Sequence, residues 1–100
     1  MYGNGYGVTQ DDATAVKWYR KAAEQGNADA QYNLALMYED GKGVVQDVAY
    51  AHMWWNIAAA NGDEDAARAR NTIAKEMTSS QIAEAQKLAR ECVRKNYKGC

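Results

Sequence analysis

Apolar positions recur every three or four residues along most of the chain, and glycine follows the apolar runs at residues 26, 41 and 62. This spacing is that of an amphipathic α-helix. Alanine is abundant and proline is absent, which favours helix over strand. The pattern predicts an all-α chain of about five helices, near residues 11–25, 27–40, 47–61, 63–77 and 78–95.

Polar residues that suit helix starts stand before these helices. We expect N-caps at Asp11, Asn27, Asp47 and Asp63. The fifth helix opens with Thr78 and Gln81 in the spacing of a capping box. Its predicted apolar stripe is Ile82, Ala85, Ala89, Cys92 and Val93. The third helix is apolar on almost every side, which predicts burial all round.

An internal repeat organises the first two thirds of the chain. Residues 2–30 match residues 38–66 at an offset of 36, with 14 of 29 positions identical. A repeat of this length carrying two helices predicts a solenoid of stacked helix pairs. Trp18 and Trp54 share one repeat position, and we expect both to be buried wedges between helix pairs. Gly5 and Gly7 correspond to Gly41 and Gly43, so they indicate a turn between helices.

The order Leu34, Tyr38, Gly41-Lys-Gly-Val44, Trp54, Ala58-Ala59 and Gly62 resembles the Sel-one-like repeat, a relative of the tetratricopeptide repeat. The resemblance implies a right-handed α/α superhelix of antiparallel helix pairs and suggests a bacterial source. It divides a single domain, residues 1–100, into a truncated repeat (2–26), a complete repeat (27–62) and a C-terminal helix pair or cap (63–97).

Members of this family typically act as adaptors that hold other proteins, so the resemblance implies a peptide or protein partner on the inner face. By analogy with the tetratricopeptide pattern, the binding residues are Asp29, Tyr32, Asn33, Leu36, Glu39, Arg68, Thr72 and Lys75, and the inner face also includes Asp65. A groove of aromatic, amide and charged groups suits a peptide or a helix. The alternative is that these are ordinary solvated side chains.

An enzyme is the second hypothesis, because cysteine-rich relatives of this family have been associated with penicillin binding. The residues do not support a penicillin-recognising hydrolase. Neither Ser79 nor Ser80 has lysine three positions later, so the Ser-x-x-Lys motif is missing. His52 is the chain's one histidine and has no second ligand at helical spacing. We expect no catalytic residue, no metal and no cofactor.

The charge balance bears on partners. The formal net charge is −1, which does not favour nucleic acid or an anionic membrane surface. No leader is evident at the start, and the first helix lacks the partner that a complete repeat would supply. We expect its apolar side, Trp18, Tyr19, Ala22 and Ala23, to be open to water and to support a homodimer.

The two cysteines leave two alternatives open. A continuous helix would place Cys92 and Cys100 about 12 Å apart, too far for a disulfide. A turn at Lys98-Gly99 would bring them together, and a disulfide would favour a periplasmic or secreted location. Otherwise Cys92 is a buried free thiol beside a loose tail.

Overall fold

The computed structural model describes residues 8–100, with side chains from residue 12 onward. The predicted turn at Gly5 and Gly7 lies outside this range. Within it the chain forms five α-helices and no strand, which confirms the all-α prediction. The helices are α1 (Val8–Glu24), α2 (Ala28–Asp40), α3 (Val48–Ala60), α4 (Glu64–Ala74) and α5 (Ser79–Arg94).

The predicted caps of the last four helices are present. The side chains of Asn27, Asp47 and Asp63 each accept a hydrogen bond from the backbone N–H three residues later. At the start of α5, Thr78 and Gln81 form both bonds of the capping box. These caps satisfy N–H groups that the first helical turn leaves without a partner, and so they set where each helix begins.

The predicted cap at Asp11 is wrong, because α1 already begins at Val8. In the second copy the N–H of Asp47 donates to the carbonyl of Tyr38. That bond ties the loop to α2 and delays the start of α3. The corresponding acceptor for Asp11 would be Tyr2, outside the described residues. The end of α4 also differs from prediction: it stops at Ala74, with Lys75 as its C-cap.

Helix α3 is the centre of the molecule. It packs extensively against α2, α4 and α5, whereas the main neighbour of α1 is α2. Met53, Trp54, Trp55 and Ile57 are all at most 2 % exposed, which confirms that α3 is buried on every side. Burial of these large apolar side chains removes their area from water and so stabilises the fold.

Two predicted core residues are exposed. Trp18 is 65 % exposed although Trp54, at the same repeat position, is fully buried, because α1 has fewer neighbouring helices than α3. Val93 is 51 % exposed, since it lies about 100° around α5 from Cys92, which faces the core. The expectation that Ala23 is open to water is also wrong, because Ala23 is fully buried.

The C-terminal tail folds back across the helices. Asn96 and Tyr97 adopt left-handed backbone angles, as does Gly99, so the turn begins earlier than the predicted Lys98-Gly99. It brings the Cα atoms of Cys92 and Cys100 to 5.7 Å, and the structure joins their sulfur atoms in a disulfide. The tail therefore lies against the helices instead of extending α5.

A series of hydrogen bonds between polar groups holds this tail against the helices. The amide of the fully buried Gln31 donates to the carbonyl of Ala23 at 3.0 Å and accepts from Asn61 at 3.0 Å. The Asn61 side chain lies 3.4 Å from the Tyr97 hydroxyl. Buried polar groups need such partners. The chain of bonds links α1, α2, the end of α3 and the tail.

Candidate partner-binding face

The predicted binding residues fall on two helices that both pack against the central helix. Asp29, Tyr32, Asn33, Leu36 and Glu39 belong to α2; Arg68 and Thr72 belong to α4, and Lys75 caps it. We call these eight residues the partner face. Those from α4 and Asp29 are exposed, and the remaining four are half-buried.

Helices α2 and α4 lie side by side with the same direction. Asp29, near the start of α2, lines a cleft of about 410 Å³ together with Arg68 of α4. At the other end, Glu39 of α2 is close enough to Glu76, just beyond α4, for their charges to repel. The N-terminal ends of α2 and α4 therefore lie close together, and so do their C-terminal ends. Both helices pack on α3, and we call the surface between them the groove.

Aromatic packing fixes the middle of this groove. The ring of Tyr32 lies 6.2 Å from the ring of Trp55, centroid to centroid, at a tilted angle. Trp55 is 1 % exposed and Tyr32 is half-buried, so the partly exposed ring of Tyr32 packs on the buried ring of Trp55. Leu36 also packs against the core. The groove thus has a partly exposed apolar centre held by a rigid buried residue.

Charged and polar groups surround that centre. Arg68 pairs with Asp65 on α4, and the Thr72 hydroxyl donates to the carbonyl of Arg68 at 2.9 Å. On α2, the side-chain amide of Asn33 donates to the carbonyl of Asp29 at 2.9 Å. These local bonds restrict the side chains while leaving Asp29 and Lys75 free to contact a ligand.

Electrostatics are unfavourable at one end of the groove. Partial burial, with the nearby carboxylates of Asp40 and Glu76, raises the pKa of Glu39 above its ordinary value of 4.5. Burial and like charges both disfavour the ionised form. A cation placed at this end would relieve the repulsion.

The cleft at the opposite end contains Asp65, which the tetratricopeptide analogy places on the inner face and which is the repeat equivalent of Asp29. It also contains residues that the sequence pattern did not indicate: Ala28, Asn61, Gly62, Asp63 and Glu64. At the other end, Glu76 is the repeat equivalent of Asp40, so extending the repeat comparison to the ends of α2 and α4 would have indicated this pair.

His52 has no role on this face. It is 3 % exposed, and burial, with the positive charge of Arg70, lowers its pKa below 6.5. Its Nδ1 atom has no hydrogen-bond partner among the described residues. Across residues 12–100, no group of three histidine, cysteine or carboxylate side chains is arranged to hold a metal ion. No helix in the described range is long and apolar enough to cross a membrane.

Comparison with known proteins agrees with the two copies seen in the sequence. The family model of the Sel1 repeat matches residues 1–27 and 28–63. No curated protein matches the chain. The two matches together cover more than half of the residues and contain α1, α2 and α3. The chain belongs to the Sel1 repeat family.

Proposed function

We propose that this chain is an adaptor that holds a peptide or protein partner in the groove between α2 and α4, through the partner face. Sel1 repeats generally mediate protein–protein interactions, and the proposal assigns that role to specific side chains. The observation that carries it is the half-buried Tyr32 over the buried Trp55, at the centre of a polar groove. Aromatic anchors surrounded by polar groups are typical of binding sites.

A displayed library of random peptides tests the proposal. We expect the folded chain to enrich peptides that Thr72→Arg and Tyr32→Ala variants no longer retain. Thr72 is exposed, so the arginine blocks the groove without removing core packing. Gln86→Ala, on an exposed part of α5, is the control and should retain the same peptides. Circular dichroism checks that each variant is folded. If no peptide is enriched, or if all variants retain the same set, the proposal is wrong.

The hydrolase alternative gains no support. Sel1 repeat proteins are typically non-enzymatic scaffolds. Ser79 and Ser80 are exposed at the start of α5, and the buried His52 cannot reach a substrate in solution. We therefore assign no reaction to the chain.

Self-association through α1 stays a prediction. Trp18 is exposed and carries the Lys21 ammonium 5.5 Å from its ring centroid, while Tyr19 and Ala22 are half-buried against the core. The exposed apolar surface is smaller than expected because Ala23 is covered. We expect a concentration-dependent mass in light scattering that Trp18→Ala reduces, and a constant monomer mass would contradict it.

A further inference from the structure

Acidic residues are concentrated around the groove. Its cleft, the partner face and the adjacent Asp40 and Glu76 contain seven of the chain's 13 acidic residues but only two of its 12 basic residues. The formal charge of this region is therefore about −5, against about +4 for the rest of the chain. Although the net charge is nearly neutral, negative charge is concentrated at the groove and positive charge elsewhere on the chain.

The acidic residues stand at both ends of the groove and leave its middle apolar. Asp29, Glu64 and Asp65 lie at the starts of α2 and α4, and Glu39, Asp40 and Glu76 lie at their ends. Tyr32 and Leu36 lie between the two groups. Of the two cations, Arg68 is already paired with Asp65 and Lys75 is exposed.

The repeat itself produces this arrangement. Asp29 and Asp65 occupy one repeat position, and Asp40 and Glu76 occupy another. Each of the two helices therefore brings a carboxylate to each end of the groove. Asp29 and Asp65 also stabilise α2 and α4, because negative charge near a helix N-terminus interacts favourably with the helix dipole. The second pair stands at helix ends, where negative charge is unfavourable, so helix stability does not explain it.

We infer that the partner segment, in the binding mode proposed above, is a peptide that carries one cationic side chain at each end of an apolar residue. The apolar residue packs on Tyr32, and the two cations meet the acidic groups at the groove's ends. Asp29 and Glu39 are ten residues apart on α2, a distance of about 15 Å. An extended chain spans this in four to five residues at about 3.3 Å each. In this binding mode the partner segment is extended and runs along α2.

The test uses a fluorescent heptapeptide with arginine at its second and sixth positions and leucine in the middle, titrated with the full chain. We expect binding that weakens as the salt concentration rises from 20 to 200 mM, because salt screens exposed ion pairs. The Debye screening length is on the order of 10 Å at 0.1 M. Replacing both arginines by glutamine should weaken binding at least about fivefold.

Two double variants test the two ends separately. Asp29→Asn with Glu64→Gln, and Glu39→Gln with Glu76→Gln, should each weaken binding of the arginine peptide about two- to fivefold. They should not change binding of the glutamine peptide. Glu24→Gln with Glu84→Gln makes the same change in net charge away from the groove, and this control should bind like the wild type.

The outcomes separate this inference from the proposed function. If the library selects peptides without basic ends that still depend on Tyr32 and Thr72, the groove binds peptides but the inference about charge is wrong. If the groove variants and the control bind the arginine peptide equally, the attraction is nonspecific and the inference also fails. If the library enriches nothing, the proposed function itself fails.

Discussion

Helices α1 and α3 are two copies of the same repeat element in different surroundings. They share Trp18 and Trp54 at one position and alanine pairs at four others, yet Trp18 is 65 % exposed and Trp54 is fully buried. The cause is the number of neighbours, since α3 contacts three helices extensively and α1 mainly one. A repeat position thus specifies a side chain's direction, while its burial depends on the neighbouring units.

The largest expected difference is between the two tryptophans. Trp54→Ala should lower the free energy of unfolding by about 3–5 kcal/mol, because it leaves a large cavity in the core. Trp18→Ala should change it by at most about 0.5 kcal/mol, as is usual at exposed positions. Urea denaturation followed by circular dichroism measures both. Similar losses for the two variants would show that the copies are equivalent after all.

The loop before α3 depends on contact between the copies. Gly43 has a φ of +75°, and a Cβ atom there would lie 2.6 Å from the carbonyl oxygen of Asp12 in α1. Gly43→Ala should therefore cost about 2–4 kcal/mol, from the left-handed backbone and from overpacking.

Gly99→Ala is the matched control for this change. Its φ is +72° but nothing lies within 4 Å of the added methyl group, so only the backbone cost of roughly 1–2 kcal/mol remains. Thermal unfolding of both variants measures the difference. Equal losses would mean that the contact with α1 contributes nothing.

The tail adds contacts to α1, which has fewer neighbouring helices than α3. Tyr97 lies against Gly26, and an Arg20 nitrogen lies 3.4 Å from the Cys100 carbonyl. Reducing the disulfide should lower stability by about 2–3 kcal/mol and should speed amide exchange in α1 more than in α3.

The Cys92→Ala, Cys100→Ala double variant is the control, because reductant should not change its melting temperature. Intact mass under denaturing conditions reports the bond directly, since reduction adds two hydrogens. An unchanged mass would show that the cysteines are not bonded to each other.

The smallest expected effect concerns His52, whose position in the first copy holds Val16. Burial, with Arg70, lowers the pKa of the folded histidine, so the unfolded chain binds the proton first. Stability is therefore lost as the pH falls through about 6.5. His52→Val should flatten this dependence between pH 8 and 5.5 in urea titrations. The raised pKa of Glu39 has the opposite effect on the pH dependence of stability. Glu39 is present in both the wild type and His52→Val, so its effect cancels in the comparison. Parallel curves for the two would contradict the assignment to His52.

Local signals in the sequence predicted much of the fold. Asn27, Asp47, Asp63 and the Thr78–Gln81 box act within one helical turn, so their effects can be deduced without knowledge of the tertiary structure. The start of α1 could not be deduced, because the corresponding boundary of α3 depends on a bond to the preceding helix.

The groove depends on contacts that helical periodicity does not specify. The resemblance to the tetratricopeptide pattern placed Tyr32 and Leu36 on the inner face of α2. It did not bring Glu39 close to Glu76, since that requires the relative placement of α2 and α4 on α3. The exposure of Trp18 depends on neighbouring helices in the same way. The sequence therefore predicted the hydrogen bonds that form within one helical turn. It did not predict contacts or exposure that depend on how a further helix is placed.

The central position of α3 has a kinetic consequence. Its contacts with α2 and α4 join elements that are adjacent in sequence, so these hairpins close with short loops and can form early. Helix α1 has fewer contacts to lose and is expected to open at lower free energy than the rest. The groove takes no side chain from α1, so such openings remove none of its residues.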